Sequence, residues 1–120
     1  MDPRHRQRII TLENLFAYSF KKDIRYLPYP KDKLTDQILK NLQKIDFLIS
    51  KNAQKFPLEK IAKTDLAILR LAIYELVIEA KTPYKVIINE AVELGKEFGG
   101  EKSYAFINGV LGKITNKKNE

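Results

Sequence analysis

Between Asp65 and Ala80 the chain reads as a helix with almost no polar side. Leu66, Ala67, Ile68, Leu69, Leu71, Ala72, Ile73, Leu76, Val77 and Ile78 leave no stripe for water. A helix that is apolar all round has to be surrounded by other elements, which places it at the centre of a core. Thr64 is its expected N-cap, the hydroxyl accepting from an N–H of the first turn. Pro83 closes the connection that follows. A chain of 120 residues has to supply those surrounding elements from one domain.

The surrounding elements read as helices too. Apolar steps of three and four recur nearly throughout, strand-like alternation is absent, and there are only 5 glycines. A first helix is predicted over 6–21, with Ile9, Leu12, Leu15, Phe16 and Phe20 along its stripe. Lys21 and Lys22 suit the negative end of its dipole. Tyr26-Leu27-Pro28-Tyr29-Pro30 predicts a stiff extended connector, since each proline restrains itself and its predecessor. A second helix follows over 32–51, capped by Asp32, with Leu34, Ile38, Leu42, Ile45 and Ile49 inward. Residues 52–57 break it, and 58–62 form a short turn. The central helix is third, over 65–80. A fourth, over 85–98, turns Ile87, Ala91, Leu94 and Phe98 to the core. It stops at Gly99-Gly100, where glycine accepts a left-handed helix end. A fifth, over 103–115, is capped by Ser103 and faces inward through Ile107, Leu111 and Ile114. Gly109 and Gly112 inside it each cost about 1 kcal/mol relative to alanine. That cost implies either a neighbour too close for a side chain or the approach of a partner's backbone, with tight helix packing favoured for Gly112.

Composition removes several function classes. With 44% hydrophobic residues there is apolar mass for one core. The absence of cysteine excludes disulfides and thiolate metal sites and fits a reducing cytoplasm. His5 is the single histidine, and the acids are not gathered at metal-ligand spacing. No run approaches the roughly 18 apolar residues of a membrane span, and the polar start has no apolar signal core behind it. The expectation is a soluble, unexported, cytoplasmic protein with no membrane association. Arg70, Tyr74, Glu75 and Glu79 are the polar positions of the central helix. Without a nucleophile–base pair or a phosphate-cradling glycine loop they read as structural ion pairs. No catalytic residue, metal site or cofactor is expected, so the chain is not read as an enzyme.

Lys and Arg number 22 against 15 acids, a net charge of +7. That balance favours polyanions, chiefly nucleic acid, or acidic protein faces; a lysine-rich surface would give the same total. The sharpest local feature is Arg4-His5-Arg6-Gln7-Arg8. The planar arginine fork donates two parallel hydrogen bonds to phosphate. At a chain end such a run can order itself along an irregular RNA backbone; the alternative is a solvated terminus. Phe106 stands one step before inward-facing Ile107. Beside Lys102 it suits base stacking, or the edge of the core.

Three stretches in order resemble the transcription antitermination protein NusB family. Asp65–Leu76 resembles that family's central helix, Pro83–Leu94 the next, and Phe106-Ile107-Asn108-Gly109-Val110-Leu111 its closing motif; together they lie within about residues 56–115. Arg4–Phe16 resembles its arginine-rich start and first helix. Ile9 stands where the family usually has an acid, and the region before Asp65 is short for the family. The resemblance implies an all-α fold, a single compact helical domain of two packed helical halves. On this chain that means a basic arm over 1–8, an N-terminal half over 9–56, a C-terminal half over 57–115 and a flexible tail over 116–120. It implies binding of boxA-type single-stranded RNA in ribosomal RNA leaders, together with the NusE-type small-subunit ribosomal protein. The pair would join the RNA polymerase antitermination complex. RNA-binding positions would be Arg4, His5, Arg6, Arg8, Lys102 and Phe106, with Lys102 favouring phosphate where some relatives carry an acid. Phe16, Asp65 and Glu75 would serve the protein partner, and Leu66, Leu69, Ile73, Ile88, Leu94 and Leu111 the core. Some relatives self-associate, so a homodimer is an alternative assembly. Two other functions stay open at this point: a protein–protein adaptor, and an RNA-targeting module like the N-terminal domain of ribosomal RNA cytosine methyltransferases.

Overall fold

Six α-helices follow one another in the computed structural model, which describes residues 2–118 and, among these, the side chains of all but 117 and 118. They are α1 (Pro3–Lys21), α2 (Lys33–Lys40), α3 (Leu42–Asn52), α4 (Lys63–Ile73), α5 (Tyr84–Phe98) and α6 (Ser103–Lys118). Among the described residues there is no strand. The all-round apolar segment takes the central place its sequence demands. Leu66 to Ile73 are buried without a gap, and α1, α3, α5 and α6 all pack on α4. Leu12 and Leu15, Ile45 and Ile49, Ile87 and Leu94, and Ile107 and Leu111 close around it.

Several local expectations are corrected. The predicted second helix is two helices. Asn41 leaves helical geometry (φ −109°, ψ 14°), and its side chain donates to the Gln37 carbonyl at 2.7 Å. That local bond competes with helix continuation, and the bend lets both Ile38 and Ile45 reach the core. The central helix starts at Lys63, with Ala62 rather than Thr64 at the N-cap and no side-chain cap bond. Asp65 in its first turn still supplies the negative charge that a helix N-terminus favours. After Ile73 the helix runs on as a π-helix over Tyr74–Glu79, ending at left-handed Ala80 (φ 53°). A short 3-10 turn over Ile24–Tyr26 leads into the expected connector and shares Tyr26 with it.

The stripe on α1 is rotated from its expected line. Phe16 and Phe20 are 40% and 58% exposed, and Phe98 of α5 is 42% exposed. The buried face of α1 is instead Arg8, Thr11, Leu12, Asn14, Leu15 and Ser19, four of the six polar. Those polar groups are satisfied. Asn14 accepts from the Tyr29 N–H and donates to the Tyr29 carbonyl, both at 2.8 Å, pinning the proline connector to the helix. Thr11 donates to Asp32 at 2.7 Å, and Asp32 accepts from the Thr35 N–H as the expected cap of α2.

The glycines also exchange roles. Gly99 ends α5 in an extended conformation (φ −93°, ψ −168°), not a left-handed one. It is needed because a Cβ there would collide with the Ser103 side chain and the Gly95 carbonyl. At Gly95 a Cβ would meet Ile107 Cδ1 at 2.9 Å, so the close approach of α5 and α6 is made there. Gly109 and Gly112 both face open space with nothing within 4 Å of a Cβ, so the tight packing favoured for Gly112 is not there. The last helix runs to Lys118, so the expected tail begins as helix; residues 119 and 120 lie outside the described residues.

Leu69 is fully buried at the middle of α4. Leu69→Ala should cost about 2–5 kcal/mol of unfolding free energy, read from the urea midpoint at an unchanged m-value. A loss below the lower bound would mean that α4 is less enclosed than described.

Candidate nucleic-acid interface

The basic run lies inside α1 rather than ahead of it. Asp2 caps the helix by accepting from the Arg4 N–H at 2.9 Å, and Pro3 occupies the first turn, where a missing N–H costs nothing. The four cations then divide by burial. Arg4 and Arg6 are exposed. Arg8, three residues beyond His5 and on the same face, is buried. Its guanidinium makes a bidentate pair with Glu75, Nε to Oε2 at 3.1 Å and Nη2 to Oε1 at 2.8 Å. Burial alone would lower the Arg8 pKa; the bonds and charge of Glu75 more than offset it and hold the guanidinium charged.

His5 completes the clamp. Its Nδ1 lies 3.0 Å from Glu90 Oε1, the same oxygen that Arg8 Nη1 reaches at 3.4 Å. Its Nε2 lies 3.2 Å from Glu97 Oε2. Only the imidazolium can donate to both carboxylates. The Glu90 bond, opposed by partial burial and helped by Glu97, raises the His5 pKa above its ordinary 6.5. The start of α1 is thus fastened to the π-helical stretch through Arg8 and to α5 through His5.

The remaining predicted residues fall elsewhere. Lys102 is exposed in the turn between α5 and α6. Phe106 is half-buried on α6 and packs edge-on against Phe56 at 5.3 Å. Phe16 stacks edge-on with Phe20 at 4.9 Å, and Lys63 lies 5.3 Å from the Phe20 ring centre. Beside this pair an open cleft of about 280 Å³ is lined by Tyr18, Lys22, Leu42, Leu58 and Lys63. Asp65 is buried, and its Oδ1 has no hydrogen-bond partner among the described residues. Glu75 is buried as the counter-ion of Arg8. Arg70, read as a structural ion pair, donates twice to Asp46 at 2.9 and 3.0 Å, and Tyr74 donates to Gln37 at 2.6 Å.

Sequence reasoning missed Glu90, Glu97 and Phe56. The first two stand seven apart on one face of α5, a spacing that could have marked them as the seat of a cation. Phe56 lies in a loop and carries no periodic mark. Among the described residues no three His, Cys, Asp or Glu side chains gather as a metal site would need, and no helix is long and apolar enough to cross a membrane.

The family model for NusB matches residues 30–116. The chain belongs to the NusB family. It is similar to the transcription antitermination protein NusB of Acetivibrio thermocellus, at 51% identity over 68% of this chain and 56% of that protein. It therefore spans little more than half the length of such relatives. Among solved structures, T. maritima NusB superposes with a TM-score of 0.83 at 34% identity, over 96% of this chain and 92% of that one. The NusB fold also matches in a solved complex of antitermination factors NusB and NusE with double-stranded RNA. That match has a TM-score of 0.78 at 22% identity, over 96% of this chain and 98% of that one.

Two outcomes follow for the clamp. Arg8→Met should cost about 3–5 kcal/mol, because it strands the Glu75 charge, and adding Glu75→Leu should restore most of that loss; chemical denaturation of the three variants reads it directly. Because the folded His5 pKa is raised, its contribution is complete below the ordinary 6.5 and is lost as pH rises through the folded value. His5→Ala should therefore lower Tm at pH 5.5 and leave it nearly unchanged at pH 9. An equal drop at both pH values would show that packing, not charge, explains the effect.

Proposed function

We propose that this chain is a non-catalytic, cytoplasmic transcription antitermination factor. It binds boxA-type single-stranded RNA of ribosomal RNA leaders jointly with a NusE-type small-subunit ribosomal protein. The pair enters the RNA polymerase antitermination complex. Residues 1–120 act as one NusB-like helical unit. The observation that carries the reading is the placing of Arg4 and Arg6: exposed arginine forks at the positive end of a helix held by two buried or half-buried cations. A fixed helix presents these forks without the ordering cost of a free arm. Lys102 and Phe106 extend the RNA surface on the other half, one toward phosphate and one toward a base.

The protein partner has its own face. Phe16 and Phe20, exposed and stacked, with Lys63 over the Phe20 ring and an open cleft beside it, suit an apolar anchor of a folded partner. Asp65 serves that face from the start of α4, and Glu75 serves it indirectly, by fixing α1 through Arg8. The family membership supports this reading, as does the shared fold of the NusB–NusE–RNA complex.

Binding of a fluorescent boxA-type RNA and a scrambled control across salt, with and without the NusE-type protein, tests it. Arg4→Ala/Arg6→Ala should flatten the log–log salt slope by about 0.7 for each lost contact, and the partner should sharpen the preference for boxA. Equally poor binding of both RNAs by wild type and variant, partner present, would replace this reading with a protein adaptor.

A further inference from the structure

Resting on that RNA-binding reading, we propose that the groove between the end of α3 and the middle of α6 is a base-stacking subsite for one unpaired nucleotide of the bound RNA. Phe56 is its wall, Gly109 its floor, and Lys55 and Lys113 the cations at its rim. The groove is open and encloses about 280 Å³. Three features of it point the same way.

The first is Gly109. Alanine is a much better helix former than glycine, so a mid-helix glycine needs a reason. Packing within the chain does not supply one, because a Cβ at Gly109 would touch nothing within 4 Å. The open position, which lines the groove, leaves room for the near approach of something outside the chain, which a bare backbone permits. The second is Phe56. It is 48% exposed, and its ring packs edge-on against Phe106 at 5.3 Å, an apolar platform left half open to solvent. The third is charge. Gln54, Lys55 and Lys113 contribute donors, and no carboxylate lies among the described lining residues. Aromatic faces set among cations without acids match a nucleobase on its phosphate chain, where stacking is indifferent to sequence and the cations follow the backbone. An acidic, apolar peptide would share part of this chemistry, and the test separates the two.

The test compares wild type, Phe56→Ala and Gly109→Ala. Phe56→Ala should weaken single-stranded RNA binding about tenfold, the loss of one stacked base. A series of RNAs with one abasic nucleotide each should contain a position at which that loss disappears. Gly109→Ala should raise Tm by a few degrees, as a helix gaining alanine does, and yet weaken RNA binding several-fold. This opposition between stability and affinity is one that a purely structural glycine would not produce. If both variants bind RNA as tightly as wild type, the subsite is overturned while the arginine face stands. If they weaken capture of the NusE-type protein and leave RNA untouched, the groove is a protein surface and the proposal is again overturned. If wild type binds no RNA, the functional reading fails and the subsite with it.

Discussion

Glu75 is a carboxylate carried into the core by a helix that has no polar face, and it cannot stay charged there without a cation. Arg8 supplies that cation through two short bonds, at 2.8 and 3.1 Å. The net stability of such a pair is small, because desolvation of both groups opposes their attraction. Its consequence is geometric. Once Arg8 must meet Glu75, the rotation of α1 about its axis is set and Arg6 is turned away from that contact, while Arg4, one turn before Arg8 on the same face, stands exposed at the start of the helix. His5 adds a second fastening to Glu90 and Glu97, so the first two turns of the helix are held from two directions.

The central helix makes a matching adjustment. Where Glu75 meets Arg8 the α-helical ladder widens to a π-helix, with the Ala80 N–H reaching back five residues to the Glu75 carbonyl at 3.0 Å. Such widenings occur mostly as short stretches and often at functional sites. The segment then ends in a left-handed alanine, a conformation that costs a residue with a Cβ about 1–2 kcal/mol. In the same stretch Tyr74 is tied to Gln37 of α2, so the departure from regular geometry is held on both sides.

How much of this was legible in the sequence depends on the kind of interaction. The central helix was legible because ten apolar residues in one segment admit no other position. The helices around it were legible from their three- and four-residue spacing. The face of α1 was not, because most of its buried side is polar: Thr11, Asn14 and Ser19 look solvent-facing until their partners Asp32, Tyr29 and Phe16 are seen. The two exposed phenylalanines then took the place in the pattern that these polar residues hold in the fold. The basic run was legible as a cluster, but its division of labour was not. Arg8 differs from Arg4 and Arg6 only through a carboxylate 67 residues away. Gly109 and Gly112 were noticed for their cost, yet only the packing showed that the crowded glycines are Gly95 and Gly99.

Of the three arginines at the start of α1, Arg8 builds the fold, and Arg4 and Arg6 are the two proposed to meet RNA. The most direct measurement follows the guanidinium Nε–H resonances of these arginines by NMR during titration with single-stranded RNA. Arg8 Nε–H should be protected from solvent exchange in the free protein and should keep its shift and protection when RNA is added. Arg4 and Arg6, fast-exchanging alone, should shift and become protected on binding. An Arg8 signal that moves with RNA while those of Arg4 and Arg6 stay in place would contradict the account, because the buried pair would then be the RNA contact and not the anchor.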